Sequence, residues 1–353
     1  MSKIRVLVID DSLMVRKILT NTLEKDNNIT VVGTARDPYE AVSKITCLKP
    51  DVLTLDVEMP RMNGLEFLKK LMSSHPMPVI MVSTLTTRGS EITLKALNEG
   101  AVDFVAKPCI FGNKERQIFQ QEIINKVKVA ARVDVRKLTS FRYRTSTVSK
   151  KVNKLRYSNL LSRYIIGIGA STGGVKAIKY ILPGFPRESP GIVIVQHMPG
   201  GFTNSFARLL NNISTLDVRE AATGDIVKPG TAFVAPGGYH LEVLKKGHNF
   251  YIRLNKNKKI HHQRPAVDVT FKSMAECAGK NAIGVLLTGM GQDGARGLKK
   301  IRQAGGYTLA QDRETATIFG MPRKAIEIGA VDEEVSTGEI VDKIFLKLNN
   351  NHR

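Results

Sequence analysis

Gly169-Ala170-Ser171-Thr172-Gly173 has the spacing of a Gly-x-Ser-x-Gly nucleophile elbow. Small flanking residues let a sharp strand-to-helix turn expose the serine hydroxyl. The free backbone N–H groups at the start of the following helix can stabilise a developing oxyanion. Two other readings compete. Gly167-x-Gly169 followed by Gly173 could be a dinucleotide-binding loop, since glycines ahead of a helix also cradle pyrophosphate. The stretch could also be a plain tight turn. The rest of the chain decides between them.

Two later segments supply partners for a serine nucleophile. Ile192–Val195 reads as a buried strand ending in Gln196-His197-Met198-Pro199-Gly200-Gly201. Asn281–Leu287 reads as another, ending in Thr288-Gly289-Met290-Gly291-Gln292-Asp293-Gly294. Tyr164-Ile165-Ile166 feeds the serine turn in the same way. If the three strands share one parallel sheet, Ser171, His197 and Asp293 lie along one edge and can converge. His197 would then take the Ser171 proton, and Asp293 would fix the imidazole tautomer and stabilise the imidazolium. Taken singly, the histidine reads as structural and the Asp before Gly294 as a turn residue. Together they favour a serine hydrolase. The chain order Ser, His, Asp differs from the Ser, Asp/Glu, His order of α/β-hydrolases. The dinucleotide reading weakens because Gln196-His197 stands where an acidic residue is expected.

A second constellation lies in the first hundred residues. Apolar strands are predicted at Ile4–Ile9, Val31–Ala35, Val52–Leu55, Val79–Val82 and Val102–Ala106, with amphipathic helices between them. Such alternation implies a parallel sheet covered on both faces. The strand ends read Asp10-Asp11, Asp56, Ser83 and Lys107-Pro108. Three carboxylates at one edge need a cation, and hard oxygen ligands suit Mg²⁺. One carboxylate can then attack phosphorus while the metal and an ammonium offset phosphoryl charge.

The elements that position these groups divide the chain. At 353 residues it is long enough for two or three domains. A helix carrying Ile118, Ile123, Ile124, Val127 and Val129 closes the first domain, and past Val135 the sequence turns polar and basic without apolar periodicity. We therefore assign 1–125 to the first domain, 126–163 to a basic flexible linker and 164–353 to the catalytic domain. Gly230–Leu254 alternates polar and apolar residues around Pro236-Gly237-Gly238 and Lys245-Lys246-Gly247, predicting antiparallel hairpins. His261-His262 lacks a carboxylate or thiol at ligand spacing, so it reads as part of a loop near the active-site edge, as does Arg264–Asp268. Gly320-Met321-Pro322-Arg323 begins a helix with proline in its first turn.

Composition narrows the function classes. No run of eighteen apolar residues predicts a membrane span, and the N-terminal residues lack a signal-peptide layout. Cys47, Cys109 and Cys277 are scattered without metal spacing, as expected of reduced thiols in a cytoplasmic protein. The formal charge is +21, but residues 1–110 carry 14 Lys and Arg against 13 Asp and Glu. Residues 111–163 carry 14 against 3, and 164–353 carry 25 against 16. The excess is thus densest in the linker, which reads as a solvated connector that could contact nucleic acid, anionic lipid or an acidic protein face.

The first segment resembles a response-regulator receiver domain over about residues 3–125. The resemblance implies a flavodoxin-like (βα)5 fold and phosphorylation at Asp56. It implies Mg²⁺ held by Asp10, Asp11, Asp56 and the backbone carbonyl of Glu58, and phosphoryl contacts from Ser83 and Lys107. It further implies a cis Lys107-Pro108 peptide and Phe104 as the aromatic switch. In the turn Met59-Pro60-Arg61-Met62-Asn63-Gly64, Asn63 stands where Asp is common, and asparagine also suits turns. Behind this domain, Gly-Ala-Ser-Thr-Gly-Gly, Gln-His-Met-Pro and Gly-Met-Gly-Gln-Asp-Gly resemble the chemotaxis response-regulator protein-glutamate methylesterase/protein-glutamine deamidases over nearly the whole chain.

That resemblance implies a doubly wound, mostly parallel α/β catalytic domain with an antiparallel hairpin. It implies hydrolysis of γ-glutamyl methyl esters and deamidation of glutamines on chemoreceptor cytoplasmic domains. Ser171 would be nucleophile, His197 base, Asp293 its orienter and the Met290 backbone N–H an oxyanion donor, with no cofactor at the hydrolase site. A chemotaxis histidine kinase would phosphorylate Asp56 and so relieve obstruction of the serine by the receiver. The residues alone support acyl hydrolysis regulated by aspartyl phosphorylation. We expect the basic linker to associate with an acidic partner such as the receptor or the kinase. The alternatives are a response regulator binding nucleic acid through a basic output half, which would normally offer a compact helix-turn-helix, and a non-catalytic receptor-binding module.

Overall fold

The computed structural model describes residues 2–84, 86–107, 113–135 and 161–350. Pro108, Cys109 and most of the predicted linker lie outside the described residues. The chain divides into two compact units, residues 1–142 and 143–353.

In the first unit, β1 (Ile4–Ile9), β2 (Ile29–Ala35), β3 (Val52–Asp56), β4 (Val79–Ser83) and β5 (Asp103–Ala106) form an all-parallel sheet in the order β2-β1-β3-β4-β5. The helices between them are α1 (Leu13–Leu23), α2 (Pro38–Leu48), α3 (Gly64–Ser74) and α4 (Thr87–Asn98), and α5 (Asn113–Ala130) follows. The strands are predominantly apolar because helices cover both faces; β3 and β4 are buried at every position. The caps are written into the sequence. Ser12, Asp37, Asn63 and Thr86 each accept from the backbone N–H three residues on. Asn63 thus caps α3 through Oδ1, at 2.9 Å from Glu66 N, which explains why asparagine serves where aspartate is common. Strand order reverses between β1 and β3, so the ends of those two strands open on a crevice. α5 runs to Ala130, so residues 126–130 are helical.

In the second unit seven parallel strands run in the order β15-β14-β13-β6-β7-β10-β8. They are β6 (Ile165–Ala170), β7 (Gly191–Gln196), β8 (Asp217–Glu220), β10 (Thr231–Val234), β13 (Ala282–Leu286), β14 (Tyr307–Gln311) and β15 (Glu333–Val335). The chain winds outward from β6 in both directions, which makes the end of β6 a switch point. α6 (Gly174–Ile181), α7 (Phe202–Ile213), α8 (Val267–Ala278), α9 (Ala295–Gln303), α10 (Met321–Glu327) and α11 (Ile340–Asn350) complete the domain. A small antiparallel sheet pairs β11 (His240–Lys246) with β12 (Asn249–Asn255), and β12 with β9 (Ile226–Val227).

Only one of the predicted hairpins forms here. The Lys245-Lys246-Gly247 turn joins β11 to β12, whereas the Pro236-Gly237-Gly238 stretch follows a strand of the main parallel sheet. Gly237 instead sits against Pro199-Gly200, where an added Cβ would lie 2.2 Å from Gly200 N. The glycines before the serine have a similar explanation. A Cβ at Gly167 would lie 2.6 Å from Met274 Sδ, and one at Gly169 would lie 2.3 Å from Val267 Cγ1. Their smallness lets α8 pack directly on β6, so the spacing that suggested dinucleotide binding serves helix-to-strand packing.

Candidate active site

β13, β6 and β7 are adjacent, so their carboxyl ends deliver all three predicted triad residues to one edge. Ala170 is opposite Gln196 in the β6–β7 register, and His197 N donates to Ala170 O at 3.1 Å. Ser171 and His197 are therefore neighbours just beyond the paired strands. From the other side, Ser171 N donates to Thr288 O at 3.0 Å. His197 Nε2 lies 2.7 Å from Asp293 Oδ2, with both side chains buried. No hydrogen bond joins Ser171 Oγ to His197 among the described residues, and the imidazole Nδ1 is the ring nitrogen left for that contact.

Asp293 is held by four donors. Oδ2 accepts from His197 and from Val267 N at 2.7 Å, while Oδ1 accepts from Asp268 N and Gly294 N at 3.0 Å each. Burial pushes its pKa up, but the His197 contact and the two backbone donors from α8 outweigh this and leave it below the usual carboxylate range. An ionised Asp293 requires the proton on His197 Nε2, which leaves Nδ1 basic. Asp268, beside it, is shifted the other way by burial and by the Asp293 charge. His261 Nε2 lies 3.3 Å from Asp268 Oδ2, so the predicted loop near the active-site edge is in place. Met290 has an exposed side chain, and its backbone N–H donates to no described group.

In the first unit, Asp10, Asp11 and Asp56 bring carboxylate oxygens within 4.8 Å of one another. Lys107 Nζ lies 2.7 Å from Asp56 Oδ2 and 3.1 Å from Asp10 Oδ2. Burial, reinforced by the Asp10 charge, pushes Asp56 up to about 6, and burial raises Asp10 as well. Asp10 Oδ2 is buried, faces the Lys107 ammonium and accepts no well-aligned hydrogen bond. An incompletely satisfied buried oxygen among three carboxylates fits a hard divalent cation. Glu58 N donates to Asp56 Oδ1 at 3.3 Å. Ser83 is buried at the end of β4, donating at 3.3 Å to Thr84 O and Gly89 O. Phe104 is buried in β5 beneath the Lys126 ammonium.

Residues 166–344 match the CheB methylesterase family model, and residues 6–119 match that of the response regulator receiver domain. The chain belongs to the CheB methylesterase family. A protein-glutamate methylesterase/protein-glutamine glutaminase of Syntrophus aciditrophicus is 49% identical over 98% of this chain and 99% of its own length. One from Salmonella typhimurium is 45% identical over 99% and 98%. The crystal structure of the Thermotoga maritima CheB methylesterase catalytic domain is 43% identical and has a TM-score of 0.51, covering 52% of this chain and 97% of that one. The chain is accordingly a response-regulator enzyme of the methylesterase family.

In this methylesterase fold the site's supports were not visible in the sequence. Gln196 Nε2 donates to Ser171 O at 2.9 Å and to His197 O at 3.3 Å, tying the two loops together. Thr288 N donates to Gln311 Oε1 at 2.7 Å, and Thr288 Oγ1 donates to Thr172 O at 2.9 Å. Gln311 is fixed in turn by Thr337 Oγ1 at 2.7 Å. Gly289 abuts the serine so closely that a Cβ there would lie 2.8 Å from Ser171 Cβ and 2.2 Å from Met321 Sδ. The polar type of Gln196, buried at the end of an apolar strand, is the one signal that could have marked a support.

Proposed function

We propose that the chain demethylates glutamate γ-methyl esters, and deamidates glutamines, on chemoreceptor cytoplasmic domains through Ser171, His197 and Asp293. The observation that carries this reading is the 2.7 Å His197–Asp293 contact one register step from Ser171, within a family whose curated relatives are named for that activity. Ser171 Oγ attacks the γ-carbonyl carbon while His197 Nδ1 takes its proton. The backbone N–H of Met290 receives the charge that develops on the carbonyl oxygen. His197 then returns the proton to the leaving methoxide or amide nitrogen, releasing methanol or ammonia and leaving a seryl ester. Water, deprotonated by the same imidazole, hydrolyses that ester to glutamate and regenerates the hydroxyl. Asp293 stays ionised throughout, holding the imidazole in one tautomer.

Regulation follows from the first unit. Asp56 Oδ attacks phosphorus, displacing the leaving group of a phosphorylated chemotaxis histidine kinase, and the acyl phosphate activates the hydrolase. Lys107 pairs with the acceptor carboxylate and would receive phosphoryl charge, together with Ser83 at the end of β4. Asp10, Asp11, Asp56 and the Glu58 carbonyl would hold Mg²⁺, which supplies charge neutralisation for the incoming phosphoryl group. The described helices include none long and apolar enough to cross a membrane, and we place the enzyme in the cytoplasm with its substrate domains. We propose receiver, linker and catalytic domain at 1–125, 126–163 and 164–353, with the receiver's last helix running on to Ala130 inside the linker span.

The test compares wild type, Ser171→Ala and Asp56→Asn on a methylated receptor fragment, with and without Mg²⁺ and a small phosphodonor. Loss of methanol release in the first variant, and of phosphodonor stimulation in the second, is expected. Full activity of Ser171→Ala overturns the mechanism, and normal stimulation of Asp56→Asn overturns the switch.

A further inference from the structure

The positive charge of the catalytic domain is not spread evenly. Residues 245–264 carry seven Lys and Arg and no Asp or Glu, against a net excess of nine over all of 164–353. The structure separates this run into parts. Arg253 is paired with Glu242 at 2.9 Å, and Arg264 donates Nη1 to the carbonyls of Lys256 and Asn257 at 2.8 and 3.0 Å. Lys256, Lys258 and Lys259 are exposed and form no ion pair among the described residues, although Lys256 Nζ lies 4.8 Å from the centroid of the Tyr239 ring. Lys245 and Lys246 are exposed as well, but sit at the far tip of the β11–β12 hairpin, where Lys246 is opposite Asn249.

The loop bearing these three lysines is fixed rather than draped over the surface. His240 Nε2 bonds Lys258 O at 3.0 Å, and Ile260 and Gln263 exchange backbone hydrogen bonds of 3.2 and 2.8 Å. The reversal between them puts His261 and His262 at φ of 50° and 62°. Two consecutive non-glycine residues in the left-handed region are uncommon and carry strain. The reversal brings His261 Nε2 onto Asp268, whose backbone N–H clamps Asp293. The His261 nitrogen, the Asp268 oxygen and the Asp293 oxygen all lie within 4.8 Å of one another. At 3.8 Å per Cα step, the backbone of Lys258 and Lys259 lies within about 12 Å of His261. The loop that carries the lysines is thus tied, through His261, to the residues that clamp Asp293.

We propose that the loop from Lys256 to His262 is a docking rim for an acidic stretch of the polypeptide substrate flanking the reacting glutamyl side chain. This rests on the reading of Ser171, His197 and Asp293 as the hydrolytic site. Exposed cations without an acidic partner, on a rigid support, attract a glutamate-bearing segment at little ordering cost, and such rim charges govern encounter and salt dependence rather than the chemical step. The screening length of about 8 Å at physiological ionic strength confines the effect to segments that pass over the loop itself.

The test uses the full chain made inert by Ser171→Ala, with and without Lys256→Gln, Lys258→Gln and Lys259→Gln. The probes are a fluorescein-labelled peptide rich in glutamate and its glutamine-substituted counterpart, read by anisotropy. At about a factor of two per exposed charge, the triple substitution is expected to weaken binding of the glutamate peptide about eightfold and to flatten its salt dependence. The glutamine peptide should not distinguish the two proteins. In otherwise wild-type enzyme the same triple change should raise KM for a methylated receptor fragment and leave kcat, and hydrolysis of a small ester, unaltered. Lys245→Gln with Lys246→Gln is the control for charge alone and should have little effect. Equal binding of the glutamate peptide with and without the three lysines, or an equal per-charge loss from the control pair, overturns the proposal. Wild type that cleaves neither ester would overturn the hydrolase reading, and the binding comparison would still decide the docking rim.

Discussion

Asp293→Asn probes the catalytic edge and its scaffold together. The carboxylate accepts four hydrogen bonds, from His197 and Val267 on one oxygen and from Asp268 and Gly294 on the other. An asparagine has the same shape but only one acceptor oxygen. If that oxygen faces Asp268 and Gly294, the amide NH₂ meets the Val267 N–H, and His197 must turn its unprotonated nitrogen to the amide. The proton then moves to Nδ1, and the base that should face Ser171 is gone. If the oxygen faces Val267 and His197, two buried N–H groups lose their partner. At about 1–3 kcal/mol per buried donor left unpaired, the variant should lose about 1–3 kcal/mol of stability in the catalytic domain in the first orientation and about 2–6 kcal/mol in the second. The tautomer change should lower kcat about 10³ to 10⁴-fold, the scale seen when a triad aspartate is made neutral. Urea unfolding followed by far-UV circular dichroism gives the first quantity, and methanol release from a methylated receptor fragment the second. A folded Asp293→Asn enzyme with more than a tenth of wild-type kcat would refute the assigned role of this carboxylate.

Further outcomes follow from the same geometry. In metal-free buffer the receiver should lose stability as pH rises from about 4 to about 6. The folded Asp56 pKa of about 6 stands above its ordinary 3.8, so the native state binds the extra proton in that window. The cost is at most about 3 kcal/mol, at 1.36 kcal/mol per unit, and Mg²⁺ should remove it; a flat urea midpoint across this range would contradict the buried carboxylate cluster. Gly289→Ala places a methyl 2.2 Å from Met321 Sδ and 2.8 Å from Ser171 Cβ, so kcat should fall at least about tenfold by displacement of the serine. Unchanged kcat would show that the loop yields freely. Gln196→Met deletes the bonds to the Ser171 and His197 carbonyls and should cost about 1–3 kcal/mol, lowering kcat more than it alters KM; a change confined to KM would assign Gln196 to substrate binding instead.

The gathering of the reactive residues at one edge was legible because each lies in the loop after an apolar run, at its end or, for Asp293, a few residues on, and parallel sheets present such loops at one edge. Ser171, His197 and Asp293, and likewise Asp10, Asp11, Asp56 and Lys107, were readable for that reason. What the sequence hid is carried by backbone. The N–H groups of Val267 and Asp268 that hold Asp293 belong to a helix start with no side-chain cap, and backbone donors leave no residue-type trace. The Thr288–Gln311–Thr337 chain joins residues far apart in sequence, and no local spacing announces it. Asp217–Glu220 escaped as an edge strand because alternate residues face solvent. Pro236-Gly237-Gly238 looked like a hairpin turn, because a loop needing glycine for close approach to Gly200 has the same composition as one needing it for reversal.

The central claim is that a single serine is made nucleophilic by the edge that gathers it with an imidazole and a carboxylate. Treatment of the full-length protein with a fluorophosphonate, in which a nucleophilic oxygen displaces fluoride from phosphorus, followed by peptide mapping, tests this directly. One adduct per chain on Ser171, abolished by Ser171→Ala and strongly slowed by His197→Ala, is the predicted result. An adduct on another residue, or labelling of Ser171 that is indifferent to the loss of His197, would contradict it.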